Sequence, residues 1–437
     1  MICSHDMHLN INTQNYLQTY ADKHNLMQHI RFGSTVLSME ERFDETKGNN
    51  IGWLLQIKSD NESEAYSMGF DYVCVCSGTF TNKKTLYYPG QDNFLKMGGI
   101  IKHSSEYKDI SDDELKGKDV VIIGGSKSAT DVAVHAAMER GANQVTLVMR
   151  RNVWRVPRFI GGYINFKHVL YMRAQEIQFT SWNVPSALSL LLWYITMPLV
   201  YVNFIMLELV LIVQLGLKKY SMMPSTRIQN SVSCEIPIVT EGLIEYIDSG
   251  DIIPINSTVK CYQSNKNLLL NNGTSIKVDV VIQATGWTLD LPFLPDHVKD
   301  ELIDQKDGLF RLYRFAVNPS IPNLGFVGYN SSFCTVLSSE LIANWLVRYA
   351  DDQLANQTTP TEMGQEIEYM LKWKREVYPA AAVYSGNCIA PFHHIHFDEI
   401  LDDMGATTRD TSLFSYPNAE LYGKCLDSAP KYSVSSA

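Results

Sequence analysis

The sequence predicts an α/β protein built on parallel sheets, and three observations predict that class. Strand-like and helix-like segments alternate along most of the 437 residues. The strand-like run 120–123 leads into a turn of small residues and then into an amphipathic helix, which is how a dinucleotide-binding β-α-β unit begins. A second strand-like run, residues 145–151, follows that helix.

The first hundred residues also predict ordered structure. Residues 15–24 are typical of a helix and residues 30–39 of a strand. Residues 53–57 and 66–70 predict a hairpin around a polar turn, and residues 70–78 predict a buried strand that ends in small residues. The first residues have neither the basic start nor the apolar centre of a signal peptide, so we expect an intracellular protein.

The rest of the chain continues the alternation of strands and helices. Further strands are predicted at residues 251–255, 268–270, 278–286 and 324–328. Long helices are predicted at residues 338–350 and near residues 366–373.

The composition excludes some classes of function. A net charge of -10 and an isoelectric point near 5.6 argue against a nucleic-acid partner, which would need a basic surface. Eight cysteines without C-x-x-C pairs or metal-like spacing predict buried thiols of a reduced protein rather than disulfides. Cys74 and Cys76 alternate along one predicted strand, so they face the same side but are too close for an unstrained disulfide.

The turn after residue 123 has small residues at the three positions that a dinucleotide fingerprint needs. Gly124 would make the tight turn, Ser126 would let a pyrophosphate approach, and Ala129 would let helix pack on strand. The helix that follows would offer free N–H groups and its positive dipole end to phosphates. The predicted nucleotide contacts are therefore Gly124, Gly125, Ser126, Lys127, Ser128 and Ala129. The alternative is a tight turn that binds no ligand.

The end of the second strand of this unit indicates which nucleotide is bound. NAD sites usually place an acidic residue there for the ribose hydroxyl, whereas NADP sites place a basic residue for the 2′-phosphate. This chain has Arg150 and Arg151 and no acid between residues 145 and 152. The pattern favours NADPH, although a solvated arginine pair at a strand end is the alternative.

A short motif lies before the glycine turn. Residues 97–107 match F-x-G-x-x-x-H-x-x-x-(W/F/Y) at Gly99, His103 and Tyr107, with Met97 in place of the phenylalanine. This motif and the turn after it resemble the flavin-containing monooxygenases, a group with N- and S-oxidising enzymes, the plant YUCCA enzymes and, more distantly, Baeyer–Villiger monooxygenases. Ser126 and Lys127 depart from the family's G-x-G-N-S-(G/A) loop. Without the resemblance, His103 would be interpreted as a structural histidine in a linker.

Further segments are similar to the family in the same order. Residues 278–286 are similar to its D-x-V-(I/V)-x-A-T-G segment, residues 76–78 stand where it has an earlier A-T-G, and residues 328–340 resemble its last strand-to-helix segment. The resemblance implies FAD as a cofactor beside NADPH. It places FAD contacts at Cys76, Ser77, Gly78, Ala284, Thr285, Gly286, Gly328, Asn330, Ser331 and Ser332.

The resemblance also implies two Rossmann-like domains and a reaction. Residues 1–116 would begin the FAD domain, residues 117–286 would form the NADP domain, and residues 287–437 would complete the FAD domain. The implied enzyme uses NADPH and O2 to oxygenate an amine, a sulfide or a carbonyl compound through a C4a-(hydro)peroxyflavin. It needs no catalytic side chain, because the flavin carries the chemistry.

One element that the resemblance implies has no counterpart in this sequence. The FAD domain of the family opens with a strand and its own G-x-G-x-x-G turn, and no such motif precedes residue 78. We therefore expect a fragment, a misassigned start or a degenerate relative, with weak FAD binding. The alternatives to a monooxygenase are a non-catalytic relative that binds NADP or a protein partner, and a flavin disulfide reductase that uses Cys74 and Cys76.

Two other stretches are distinctive. Residues 392–399 gather three histidines and two acids, but His393 and His394 are adjacent and should point apart, so we expect no metal site. Residues 181–217 carry Glu208 as their only charge. We predict that they form an apolar lid lying on a membrane surface, with a membrane span or a buried helix pair as alternatives. The predicted location is the cytoplasm or the cytosolic face of the endoplasmic reticulum.

Overall fold

The computed structural model describes residues 4–44, 46, 48–182, 187–408 and 412–433. Its strands are β1 (Ser34–Phe43), β2 (Asn50–Ser59), β3 (Tyr66–Phe70), β4 (Val73–Val75), β5 (Asn82–Lys83), β6 (Ile100–His103), β7 (Asp119–Ile123), β8 (Gln144–Met149), β9 (Phe159–Ile160), β10 (Ile164–Asn165), β11 (Ile252–Asn256), β12 (Val259–Tyr262), β13 (Asn267–Leu270), β14 (Ser275–Lys277), β15 (Val280–Gln283), β16 (Trp287–Thr288) and β17 (Leu324–Phe326).

The helices complete the α/β alternation. They are α1 (Ser4–Lys23), α2 (Gln91–Lys96), α3 (Asp112–Leu115), α4 (Lys127–Met138), α5 (Lys167–Leu170), α6 (Arg173–Glu176), α7 (Ala187–Gln214), α8 (Leu243–Ser249), α9 (Asp296–Leu302), α10 (Thr335–Ala350), α11 (Pro360–Glu376), α12 (His393–Asp403) and α13 (Ala419–Asp427). Short 3-10 helices lie at Met27–His29, Ser104–Asp109, Ile228–Asn230 and Pro379–Ala382.

A five-stranded parallel sheet in the order β11-β8-β7-β15-β6 forms the centre of the nucleotide-binding half. All five residues of β7 are buried, as expected of a strand covered on both faces. Helices α4, α7 and α8 pack on one face, and α2 with the antiparallel sheet β12-β13-β14 packs on the other. The strand order reverses beside β7, so the carboxyl end of β7 lies where ligands of such sheets bind.

The nucleotide-binding sheet includes a strand that lies before the predicted domain boundary at residue 116. Strand β6 precedes that boundary but pairs with β15 in parallel register, Ile100 opposite Val280. The parallel pairing brings His103 at the end of β6 level with Gln283 at the end of β15.

The predicted hairpin is confirmed. Strand β2 pairs with β3 with Trp53 opposite Phe70, and β1 completes a three-stranded antiparallel sheet. The predicted strand at residues 30–39 instead begins at Ser34 and runs to Phe43. The predicted helix at residues 15–24 is longer, because α1 begins at Ser4.

The predicted buried strand at residues 70–78 is shorter and more exposed than predicted. Strand β4 has three residues, and only Val75 among them is buried. Within the described part of the chain, β4 pairs with one neighbour, the parallel strand β17. The other edge of β4 therefore leaves its N–H and C=O groups unpaired by strands in this part of the chain, and the side chain of Cys74 is exposed.

Two predictions about side chains are wrong. Cys234 and Cys388 form a disulfide with Cα atoms 5.9 Å apart, although 154 residues separate them in the chain. His393 and His394 do not point apart, because Nε2 of each lies within 3.1 Å of the carbonyl oxygen of Tyr171. Sequence spacing does not reveal either contact, because both depend on how distant segments pack.

Residues 187–214 form one long apolar helix, α7, with Pro198 inside it. Phe204, Leu211 and the following Leu215 are buried in the core of the nucleotide-binding half. On the other side, Leu199 and Val213 are 73% and 82% exposed. This exposure contradicts the alternative of a fully buried helix pair.

Candidate functional site

The turn after β7 has the close packing that its glycine predicts. Gly124 has φ +149°, and a Cβ on it would lie 2.4 Å from the carbonyl oxygen of Ala284. Ala129 is buried between α4 and the sheet. Gly124 thus makes a tight turn against Ala284 that leaves no room for a side chain, and Ala129 lets the helix pack on the strands.

The first turn of α4 has room for an anion. Helix α4 begins at Lys127, and the side chain of its N-cap residue, Ser126, does not cap it. Ser126 and Ser128 are exposed beside the turn. The free N–H groups and the dipole of this 12-residue helix favour a phosphate at this point, so the turn fits the pyrophosphate of NADP.

Lys127 is held in the helix rather than left free in the turn. Its ammonium pairs with the buried carboxylate of Asp131 and lies 3.3 Å from the hydroxyl oxygen of Thr240. The Thr240 hydroxyl donates to Asp131 at 2.6 Å. Asp131 and Thr240 were not predicted from the sequence, because 109 residues separate these partners.

Arg155, which was also not predicted, holds the backbone of the turn from the protein interior. Arg155 is 1% exposed, and its guanidinium donates to the carbonyl oxygen of Gly125 at 2.5 Å. Burial lowers the pKa of Arg155 to about 10. The guanidinium therefore fixes the backbone of the glycine turn from inside the protein.

The two predicted phosphate-binding arginines differ in their surroundings. Arg150 is exposed and forms no hydrogen bond or ion pair with any of the described residues. Arg151 is paired with Glu235 at 2.9 Å. Only Arg150 is thus free to meet a 2′-phosphate without first breaking an ion pair.

His103 joins the family-like motif to the turn that follows β15. His103 is buried, and its Nε2 lies 3.1 Å from the carbonyl oxygen of Gly286. Burial lowers the pKa of His103, and its Nδ1 accepts from the N–H of Ser105, which leaves Nε2 to donate to that carbonyl. The motif positions of Tyr107 and Gly99 are also packed: Tyr107 meets His135 at 3.0 Å, and a Cβ on Gly99 would meet the ring of Phe94. Met97 is half-buried at the end of α2.

The turn 284–286 touches both halves of the predicted site. The N–H of Ala284 donates to Ile123 beside Gly124, and the Thr285 hydroxyl donates to the carbonyl oxygen of Lys84. The segments that leave Gly78 and Gly286 then pair as β5 and β16, Lys83 opposite Trp287. The paired strands β5 and β16 therefore connect the predicted NADP turn with the predicted FAD turns.

The predicted FAD turns meet at the carboxyl edge of the parallel pair β4 and β17. Residues 76–78 follow β4, and Gly328 is the second residue after β17. The Ser77 hydroxyl lies 3.4 Å from that of Tyr329, and both Gly78 and Gly328 have positive φ. Cys76 is exposed here, and the thiol of Cys74, 3.6 Å away, lowers the pKa of Cys76 to about 7.

Residues 330–332 lie just before α10. Asn330 is buried and donates to the carbonyl oxygen of Ser338 at 3.0 Å, while its own Oδ1 has no partner in the described structure. The N–H of Ser331 donates to Asn387 at 2.7 Å, next to the disulfide at Cys388. Ser332 accepts from the N–H of Cys334. Asn387 and Cys388 were not predicted to border this turn.

The described residues fit one part of FAD and not another. The turns at 76–78 and 328–332, where the flavin contacts are predicted, lie together at the carboxyl edge of the parallel pair β4 and β17. Beside β4, the described part of the chain has no glycine-rich strand-to-helix turn. No described residue therefore fits the FAD pyrophosphate.

Comparison with known families gives a match over most of the chain. The sequence model of the family described as "Flavin-binding monooxygenase-like" matches residues 5–414. The probable flavin-containing monooxygenase 1 of Arabidopsis thaliana is 27% identical over 433 residues, which cover 93% of this chain and 80% of that protein.

Solved structures share the fold. The S-allyl-L-cysteine S-oxygenase of Allium sativum superposes with a TM-score of 0.56 at 17% identity, over 95% of this chain and 75% of that one. An oxidised steroid monooxygenase bound to NADP gives a TM-score of 0.57 at 16% identity, over 90% and 82%. These are two-domain, Rossmann-like folds, and they confirm the predicted fold class.

Proposed function

Because the chain belongs to the flavin-binding monooxygenase-like family, we propose that it transfers one oxygen atom from O2 to a small organic substrate with NADPH as reductant. The cofactors of this flavin monooxygenase are FAD and NADPH. We propose an amine, a sulfide or a carbonyl compound as the substrate. One observation carries the proposal: β5 and β16 join the predicted NADP turn to the predicted FAD turns.

The chain's own residues would bind and orient the cofactors. The turn at Gly124 and the start of α4 would hold the pyrophosphate of NADP, and Arg150 would hold its 2′-phosphate. His103 would fix the turn 284–286 between the two sites. When bound, FAD reduced by NADPH would supply the chemistry that activates O2. The protein would position the two cofactors and exclude water from the site.

A coupled assay tests this proposal. The purified chain with FAD in excess should consume NADPH and O2 in equal amounts and yield an oxygenated product from methyl phenyl sulfide, dimethylaniline or cyclohexanone. The variant Gly124→Ala should lose this activity, because its Cβ would meet Ala284 at 2.4 Å. Gly364→Ala is the matched control, because nothing lies within 4 Å of that position in α11.

The assay can also contradict the proposal. NADPH oxidation that yields only hydrogen peroxide, for all three probes, would contradict oxygen transfer. The product identifies the substrate class, because sulfoxide, N-oxide and lactone report different chemistries.

A second candidate function is a non-catalytic relative that binds NADP or a partner without flavin chemistry. The turn at Gly124 and the start of α4 would provide the NADP site of such a protein. Tight NADP+ binding with no NADPH oxidation, even with excess FAD, would favour this candidate over the monooxygenase.

We also propose that α7 lies on a membrane surface. It is the one helix in the described parts of the chain that is long and apolar enough to cross a membrane, at Tyr194–Gln214 with mean hydropathy 2.1. Its inner side packs on the protein, where buried Glu208 pairs with Arg227 at 3.1 Å. A helix anchored along one side and apolar on the other suits an interface better than a span. Beneath it lies an apolar cavity of about 20 Å³ lined by Phe204, Leu207 and Val232.

Vesicle sedimentation tests the membrane proposal. The protein should sediment with phosphatidylcholine vesicles, and replacing Leu199, Val202 and Val213 by serine should release it without unfolding it. Exposed Ile51 and Phe414, replaced by serine, provide the control. Protease cleavage of α7 from outside sealed vesicles is expected, whereas full protection would indicate a span. Equal sedimentation of both variants would contradict the proposal.

A further inference from the structure

Three ligand side chains that the oxygenation chemistry does not use meet at the start of α12. They are Glu176 at the end of α6 and the adjacent residues His393 and His394. All three are buried, at 3%, 0% and 0% exposure. Their ligand atoms lie within 4.8 Å of one another. Since Phe392 precedes the helix, both histidines stand in its first turn, and both rings turn toward the loop at Tyr171.

A fourth oxygen completes the group. The carbonyl oxygen of Tyr171 lies 3.1 Å from Nε2 of His393 and 3.0 Å from Nε2 of His394. A carboxylate oxygen of Glu176 lies 3.6 Å from Nε2 of His393. Ligand atoms about 2.0–2.1 Å from a tetrahedral Zn²⁺ stand roughly 3.3–3.4 Å from one another. These three separations lie within about 0.4 Å of such edges. The two distances to Tyr171 are also ordinary hydrogen-bond lengths, whereas 3.6 Å is longer than a hydrogen bond.

His394 and Glu176 are held from behind by hydrogen bonds as metal ligands usually are, whereas Nδ1 of His393 has no partner among the described residues. Nδ1 of His394 lies 2.9 Å from the hydroxyl of Tyr422, which can hold the proton on Nδ1 and leave Nε2 free. The carboxylate of Glu176 accepts the N–H groups of His394 and Ile395 at 2.7 and 3.1 Å. Both the carboxylate and one imidazole are therefore fixed in orientation before any ion binds.

The nearby positive charge is already paired with another carboxylate. The nearby guanidinium of Arg173 is neutralised by a bidentate pair with Asp398, at 2.5 and 3.1 Å. Among the described residues, Glu176 forms no ion pair with a lysine or an arginine, and its one charged neighbour within 4.0 Å is the ring of His393. A bound cation would balance the charge of this buried carboxylate.

We propose that Glu176, His393, His394 and the carbonyl oxygen of Tyr171 bind one Zn²⁺ ion. Four protein ligands close the coordination sphere, so the ion is structural rather than catalytic. It clamps α12, in the C-terminal part of the chain, to the segment that precedes α7. The proposal does not depend on the proposed oxygenase function.

Metal analysis of the purified, untagged chain tests this proposal. The chain from zinc-supplemented cells should retain about one Zn²⁺ per molecule after dialysis, and Co²⁺ in its place should give the visible absorption of a tetrahedral site. Glu176→Gln and His394→Gln should bind Zn²⁺ at least about tenfold more weakly. Tyr422→Phe keeps all four ligands but should weaken binding by roughly 10- to 100-fold. His396→Gln, on the same helix and equally buried, should leave the zinc content unchanged.

Thermal unfolding separates the metal from a hydrogen-bonded cluster. A chelator should lower the melting temperature of the parent chain and leave that of Glu176→Gln unchanged. If the variants do not fold, the parent chain with Zn²⁺, Co²⁺ and chelator decides alone. A parent chain without zinc that chelator and added Zn²⁺ leave unchanged overturns the proposal.

Discussion

In and near the nucleotide turn, the sequence pattern predicts which positions need glycine, but it does not predict the partners of the charged side chains. Gly124 is required by its backbone, since any Cβ would meet Ala284, and the fingerprint pattern predicts it. Lys127 and Arg151 are also predicted nucleotide contacts, yet their charges are paired with Asp131 and Glu235. The pattern gives positions in the turn, whereas the partners of each side chain depend on segments far away in the chain.

At the residue scale we predict that Arg150 sets the preference for NADPH. Arg150→Ala should lower the preference for NADPH over NADH by about 10- to 100-fold, because a charge-assisted bond to phosphate contributes roughly 1.5–3 kcal/mol. The ratio of NADP+ to NAD+ dissociation constants measures this. Arg151→Ala is the control and should change the ratio less, because Glu235 already holds Arg151. An unchanged ratio in the Arg150 variant would refute the assignment.

Among the elements, α11 places a titratable amine in the interior. Lys374 is 2% exposed, donates to the carbonyl oxygen of Gly386 and lies 4.5 Å over the ring of Phe315. Burial lowers the pKa of Lys374 to about 7, whereas the unfolded chain has the usual value near 10.5. Between those values, unfolding takes up a proton. Stability therefore rises with pH from about 7 to about 10.5, and it is lost as pH falls toward 7.

Lys374→Met should flatten that dependence. The parent chain should gain at most about 1.4 kcal/mol per pH unit from this lysine, and the variant should lose that part of the slope. Urea unfolding at pH 7, 8 and 9 measures the slope. Lys372→Met, on the exposed side of the same helix, should keep the parent slope. Equal slopes for all three proteins would show that Lys374 is not buried as a neutral amine.

In the whole molecule, long-range pairings bring the two halves together. Parallel pairing of β4 with β17 spans about 250 residues, and the disulfide joins residues 154 apart. These contacts gather the turns at 76–78, 284–286 and 328–332 around one region. Within the described residues, β4 nevertheless keeps one unpaired edge where the FAD pyrophosphate would need a glycine-rich turn.

We predict that this 437-residue chain, expressed by itself, binds NADP+ normally and FAD weakly. The NADP half has its strand, turn and helix, whereas the described residues hold no cradle for the FAD pyrophosphate. After gel filtration, flavin absorbance should correspond to well below one FAD per chain. Adding a segment with a strand and a G-x-G-x-x-G turn before residue 1 should restore it. Stoichiometric, tightly bound FAD in the chain alone would contradict this account.

The sequence by itself determined the α/β class, the glycine turn, the family motif at His103 and the order of the segments. Each of these depends on local spacing: apolar period, small residues at a turn, or a motif within about ten positions. The family match over residues 5–414 confirms the predicted resemblance.

Only the tertiary structure decided which side chains are free and which are paired. The disulfide, the support of Gly125 by Arg155, the pairing of Arg151 and the convergence of His393 with His394 on Tyr171 all join segments far apart in the chain. The unpaired edge of β4 also follows from tertiary pairing, because β17 is its one partner strand among the described residues. Spacing within a segment cannot encode these contacts, because packing between segments fixes them.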